Sequence, residues 1–169
     1  MAAYTVSTGW TPIDRIGLNQ GITTISTTKN YELGERVVCK DMSSSGYGFG
    51  EFIYLTGVGS TIAGSVVLIK DDYTTSLIAA RDKGAIGVAC AANVASSYGW
   101  YQIKGKAMAS CAAAVGAGAP LYIAAANVID DAVVAGDQIH GMRSVTGVDT
   151  ATLIVNMGVN PHAGDTDNA

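Results

Sequence analysis

Few side chains in this sequence have the types and spacing that chemistry requires. Two pairs of adjacent carboxylates, Asp71-Asp72 and Asp130-Asp131, are the first candidates. Paired carboxylates serve calcium binding or general acid/base catalysis. Adjacent residues of a strand, however, point to opposite faces, and no oxygen-rich loop surrounds either pair. Both therefore read as turn residues whose side chains bond nearby backbone. His140 and His162 have no partner at metal-ligand spacing. No Gly-x-Ser-x-Gly elbow occurs, and no His or Cys is placed to activate a nucleophile. Glu51 is the one acid inside an apolar strand pattern, Gly50-Glu-Phe-Ile-Tyr54. The alternation of polar and apolar faces assigns it to an edge or to a cross-strand ion pair rather than to catalysis. The expectation is a protein without catalytic, metal-binding or cofactor-binding residues.

The stretch Gly57-Val-Gly-Ser-Thr-Ile-Ala-Gly64 follows a strand-like run and has the glycine content of a phosphate loop. Its context does not fit. The third glycine is misplaced, no Lys-Ser/Thr follows, and the next segment, Ser65-Val-Val-Leu-Ile-Lys70, is β-branched where a helix is required. It reads as a hairpin loop. Cys39, Cys90 and Cys111 form an odd, widely spaced set among apolar or small neighbours, and read as buried free thiols.

The elements that would position these groups are short β-strands. Glu35–Lys40, Phe49–Thr56 and Ser65–Lys70 are Val/Ile/Tyr-rich runs separated by Gly-containing turns, at the spacing of an antiparallel barrel or sandwich. Ile86–Ala91, Trp100–Lys104, Lys106–Ser110, Leu121–Ala124, Gln138–Met142 and Thr152–Met157 continue the pattern. Thr74–Arg81 suits a short helix or a strand and is read as strand. In the Ala-rich segment 107–119, Gly116, Gly118 and Pro120 rule out a helix, leaving strand and loop. Val128-Ile-Asp-Asp-Ala-Val-Val-Ala135 is the expected short helix or turn. Residues 1–30 are Thr/Ser-rich and interrupted by Gly and Pro, which predicts an extended N-terminal arm with one short strand near Ile22–Ser26. The arm carries Tyr4, Val6, Trp10, Ile13, Ile16, Leu18 and Ile22, which a solvated linker would not need. Ordering against a partner is the expectation, with folding back as an edge strand the alternative. Residues 31–158 form the β domain, and 159–169 a flexible tail. The fold class is thus mainly β: one antiparallel barrel or sandwich-like domain with very little helix.

Composition narrows the function classes. At 169 residues the chain is long enough for one self-sufficient core. Charged residues make up 14%, well below the roughly one quarter of ordinary soluble domains, as expected of partner-covered surface. A formal charge of −4 with no Lys/Arg run argues against nucleic acid as a partner. No apolar run approaches the roughly 18 residues that span a bilayer, and the start Met-Ala-Ala-Tyr-Thr-Val lacks a signal-peptide pattern, so a soluble chain made in a cytoplasm, with no membrane partner, is expected.

The segment Gly84–Gly105 joins two strand-like runs, the second of which, Tyr98-Gly-Trp-Tyr-Gln-Ile-Lys-Gly105, places three large aromatics within four residues. Such residues pack across strands and are enriched at interfaces. With them, Trp10, Tyr47, Phe49 and Tyr54 are the remaining aromatics assigned to core or interface packing beside Tyr98, Trp100 and Tyr101. The phrases Gly48-Phe-Gly-Glu-Phe-Ile-Tyr-Leu-Thr-Gly-Val58, Ala92-Asn-Val-Ala-Ser-Ser-Tyr-Gly-Trp-Tyr-Gln-Ile-Lys-Gly-Lys-Ala107 and Val128-Ile-Asp-Asp-Ala-Val-Val-Ala-Gly-Asp137 together resemble the small head proteins of tailed bacteriophages, over about Gly34 to Val155. The resemblance implies a capsid decoration, or cement, protein without enzymatic activity. Such a protein binds the outer surface of the major capsid protein shell as a small homo-oligomer, a trimer ahead of a dimer. It would be synthesised in the bacterial host cytoplasm and reside on the virion. A tail or head-fibre base component is the nearer alternative, and a small-molecule-binding barrel or enzyme the more distant one.

Overall fold

Short runs of β-branched and aromatic residues fit a pleated surface, and here they build strands from end to end. The computed structural model describes residues 6–43, 46–112, 114–125, 127–147 and 152–163, with 159–163 described by backbone alone. The strands are β1 (Trp10–Pro12), β2 (Arg36–Asp41), β3 (Phe49–Thr56), β4 (Val66–Ile69), β5 (Thr75–Leu77), β6 (Gly84–Ala89), β7 (Tyr98–Ser110), β8 (Pro120–Ala125), β9 (Val128–Asp130), β10 (Gln138–Ser144) and β11 (Thr152–Ala163). No helix occurs among the described residues. Every ladder between these strands is antiparallel, and the main path runs β1-β2-β3-β7-β6-β11-β10-β8-β9, with β4 and β5 branching from β6. The sheet does not close into a barrel by strand pairing. One of two isolated parallel bridges among the described residues, between Cys111 and Ile129, with the Ala112 N–H donating to the Ile129 carbonyl at 2.8 Å, brings β9 back against the end of β7.

Several expectations are corrected. Val128–Ala135 holds a strand, β9, followed by a turn rather than a helix. Ile129 is fully buried between half-buried Val128 and Asp130 and pairs with Ile123, so a period of two prevails over helix-like spacing. The two runs drawn on either side of Gly105 are one strand, β7, of 13 residues. The loop after Thr56 is no hairpin, because β3 pairs with β2 and β7 while β4 pairs with β5 and β6. Gly57 is needed there for close approach: a Cβ would lie 2.1 Å from the Asn93 carbonyl oxygen. Thr74–Arg81 is strand only over β5. The strand expected near Ile22–Ser26 is reduced to a bridge between Ser26 and Tyr98. The flexible tail expected from residue 159 begins too early, since β11 continues to Ala163 and pairs there with Gly84; 164–169 lie outside the described residues.

β7 holds the sheet together. Its first half pairs with β3 and β6, and its second half with β11. The change of partner falls at Gly105, whose φ of +90° is left-handed and where a Cβ would stand 2.2 Å from the Phe49 carbonyl oxygen. Only glycine meets both demands. β3 beside it is buried on both faces. Phe52 and Tyr54 enter one apolar cluster with Val37, Cys39 and Trp100, while Ile53 and Leu55 enter another with Val67 and Tyr101. The largest cluster fills the space enclosed by β4, β6, β8, β10, β11 and the end of β7.

Of the two readings for the N-terminal segment, the structure has the chain folded back. β1 pairs with β2, and residues from Val6 to Leu33 cover the Trp100 face of the sheet. The anchor is polar. The Gln20 side chain, 3% exposed, donates to the Thr24 and Tyr98 carbonyls at 2.8 Å each, and accepts from Tyr54 Oη at 2.7 Å and Asn30 Nδ2 at 3.0 Å. Its own carbonyl accepts from Trp100 Nε1 at 3.0 Å. A buried side chain amide with all its hydrogen bonds made fixes position and rotamer together.

Candidate interaction surface

The chemically capable residues are spent on the scaffold. Asp72 accepts from the Thr74 N–H and hydroxyl at 3.0 and 2.6 Å, an Asx turn that holds its carboxyl below the ordinary carboxylate range. Asp131 accepts from the Gly116 N–H at 2.7 Å, and Asp130 from the Asp131 N–H at 2.7 Å. Glu51 makes the cross-strand ion pair, 3.2 Å from Arg36 Nη1. Sequence reasoning passed over Asp41, which is buried and accepts from the Ser7 and Ser43 hydroxyls at 2.6 and 2.7 Å, tying the loop after β2 to the N-terminal segment. Asp137, 3% exposed, accepts from the Arg81 N–H. The register sets the backbone of His140 opposite that of His162, but no group of three or more His, Cys, Asp and Glu gathers in a metal-holding arrangement among the described residues.

All three cysteines are buried thiols outside any disulfide. Burial pushes the Cys39 thiol up to about 12 and the Cys111 thiol up to about 11, and raises Cys90 as well. Thiols held in the protonated form are poor nucleophiles at neutral pH. Burial likewise raises the Tyr101 phenol, which accepts from Asn93 Nδ2 at 3.1 Å.

Of the aromatics singled out in the sequence, Tyr54, Trp100 and Tyr101 are core residues, each no more than 1% exposed. The Tyr54 and Trp100 rings meet edge-on at 5.1 Å, with Tyr31 contacting both at 5.3 and 5.0 Å. Half-buried Tyr98 stacks on Tyr54 at 6.4 Å. Trp10 packs edge-on against Phe52 at 4.9 Å and Tyr47 at 6.1 Å, where buried Tyr47 covers Met108 and Ile154. Phe49 alone differs, at 57% exposed.

Phe49 stands where β3, β7 and β11 meet. It borders an open groove of about 410 Å³ lined also by Val38, Glu51, Lys104, Asn156 and Met157. Lys40, its cross-strand partner, lies over the ring with Nζ 5.8 Å from the centroid, a cation–π contact. Further large apolar side chains are exposed in the turns that join β1, β2 and β3, Ile13 at 57%, Ile16 at 107% and Met42 at 66%, and others elsewhere, Val133 at 76% and Ile62 at 55% among them. The arrangement offers shape, apolar area and charge for binding. No known family model matches this chain, and no curated protein or solved structure is significantly similar to it.

Proposed function

We propose that this chain is a non-enzymatic structural protein of a tailed-phage virion. In this reading it decorates the outer surface of the shell formed by the major capsid protein, as a homo-oligomer, with a trimer ahead of a dimer. The observation that carries the reading is the contrast within one molecule. Asp72, Asp130, Asp131, Glu51 and the thiols are held in turns, an ion pair and the core, while Phe49 stands exposed beside the groove and Ile13, Ile16 and Met42 are exposed in the turns that join β1, β2 and β3. Exposed apolar residues beside a groove mark binding surfaces. A decoration protein works by bridging neighbouring shell subunits, and interfaces of roughly 800 Å² per partner repeated over a symmetric lattice give ample avidity for that.

The test is co-sedimentation. Purified chain is mixed with shells assembled from the major capsid protein of the genome that encodes it, and with shells expanded to the mature size. Saturable retention on the shells at a fixed copy number per shell subunit supports the reading. A chain that stays in the supernatant at micromolar concentration overturns it.

A further inference from the structure

The sheet registers assemble charges that lie far apart in the sequence. Arg143 of β10 stands opposite Asn156 of β11, and Asn156 stands opposite Lys106 of β7. Directly opposed residues share a face with Cβ atoms about 5 Å apart. The two cations therefore flank Asn156 side by side. Asn156 and Lys104 both line the groove beside Phe49, and Lys40 covers the Phe49 ring. Arg15, Lys29 and Arg36 have carboxylate partners, but Lys40, Lys104, Lys106 and Arg143 have none among the described residues. Glu51, the acid of the groove, is already engaged by Arg36. Four cations without carboxylate partners thus share the sheet face that carries the groove beside Phe49, on a chain of formal net charge −4.

We propose that this face docks an acidic polypeptide surface. Partner carboxylates lie against Lys40, Lys104, Lys106 and Arg143, and a partner apolar side chain seats against Phe49 and Val38. An acidic protein approaching an acidic partner is repelled except where its own field reverses, so the cation cluster selects the docking orientation. The groove supplies the dry centre and the cations the polar rim of an interface. A nucleic-acid strand fits less well. Phe49 is the one ring lining the groove rather than one of a row of stacking platforms for successive bases. The inference deepens the virion reading by giving the chemistry of the partner surface, and it rests on that reading only for which protein the partner is.

The test uses the full chain and two fluorescent probes of equal negative charge: a short Glu/Leu peptide and a single-stranded DNA oligonucleotide. Fluorescence anisotropy is expected to show saturable peptide binding that weakens by roughly tenfold between low salt and physiological salt, as screening shortens the reach of the cations. Lys104→Gln/Lys106→Gln/Arg143→Gln is expected to weaken it by about tenfold or more, a loss equivalent to at least one interfacial charge pair. Phe49→Ser weakens it too, and Lys70→Gln/Lys83→Gln, off this face, leaves it unchanged. Melting curves confirm that each variant is folded. Absence of saturable peptide binding, tighter binding of the DNA, or an equal loss in the Lys70/Lys83 variant overturns the proposal. The virion reading is separated by the shells. Peptide binding without shell binding sinks that reading and keeps this one. Shell binding untouched by the triple variant does the reverse.

Discussion

Replacing Gln20 by Ala tests whether the N-terminal segment is part of the fold. The substitution removes four side-chain hydrogen bonds, to the Thr24 and Tyr98 carbonyls and from Tyr54 Oη and Asn30 Nδ2. Their consequences differ. Thr24 is exposed and its carbonyl regains water, and the Tyr98 carbonyl still accepts from the Ser26 N–H at 3.1 Å. The Tyr54 hydroxyl belongs to a fully buried residue and keeps only an incoming bond from the Asn30 N–H at 3.3 Å, so its proton loses its acceptor. One orphaned buried donor costs about 1–3 kcal/mol, and the remaining bonds add roughly 1 kcal/mol each where water does not replace them. The sum is about 2–4 kcal/mol, which for a chain of this size lowers Tm by roughly 5–15 °C. Gln20→Glu keeps the acceptor but replaces the NH2 group, which carries both donors, by one oxygen that repels the Thr24 and Tyr98 carbonyls inside a buried site, so it destabilises at least as much at neutral pH and recovers part of the loss when acid neutralises the carboxyl. The assay is thermal melting by circular dichroism at pH 7 and pH 5. A Gln20→Ala variant melting within about 1 °C of the parent would refute the reasoning, because a Tm unmoved by several kcal/mol is impossible.

Gly105→Val places a β-branched residue at a φ of +90° with its Cβ 2.2 Å from the Phe49 carbonyl oxygen; it is expected to prevent folding or to cost more than about 3 kcal/mol, read by denaturant melts. The raised Cys39 thiol leads to an alkaline prediction: the unfolded thiol ionises from about 9 while the folded one holds its proton to about 12. Stability is intact below pH 9 and falls as pH rises through that window, at up to about 1.4 kcal/mol per pH unit for this group. Cys39→Ala should lower stability at pH 7 yet flatten the alkaline decline, and an unchanged slope between pH 9 and 11 contradicts the assignment. Phe49→Ser, at a residue 57% exposed, is expected to shift stability by no more than about 0.5 kcal/mol while weakening shell binding; a large loss of Tm shows that the ring is structural.

Much of the architecture was legible in the sequence, because buried strands announce themselves. β3 reads as a continuous apolar run since Phe52, Tyr54, Ile53 and Leu55 fill clusters on both its faces. β2 reads as alternating since only Val37, Cys39 and Asp41 turn inward. β9 was missed because it is only three residues long, joins β8 in a hairpin of irregular register, and is completed by the non-local bridge to Cys111. For the N-terminal segment, folding back as an edge strand was the alternative to ordering against a partner, and the apolar spacing of Val6, Trp10, Leu18 and Ile22 suited both; what decides between them, the buried Gln20 amide with partners at Tyr54, Tyr98 and Trp100, lies far apart in the sequence. The charge pattern misled most. Arg36, Lys40, Lys104, Lys106 and Arg143 form no run in the chain, yet three strands gather these five of its ten cations around one part of the sheet. Aromatic density, in turn, pointed to the core more than to an interface, with Phe49 the exception.

Imaging the intact particle tests the central claim most directly. On the proposed reading, reconstruction of DNA-filled phage heads that carry this chain should place its β-sheet density on the outer shell surface. The copies should recur at the lattice's local symmetry axes, with the groove beside Phe49 turned toward the major capsid protein. Heads that lack the chain, or a particle that carries it only in the tail, would contradict the claim.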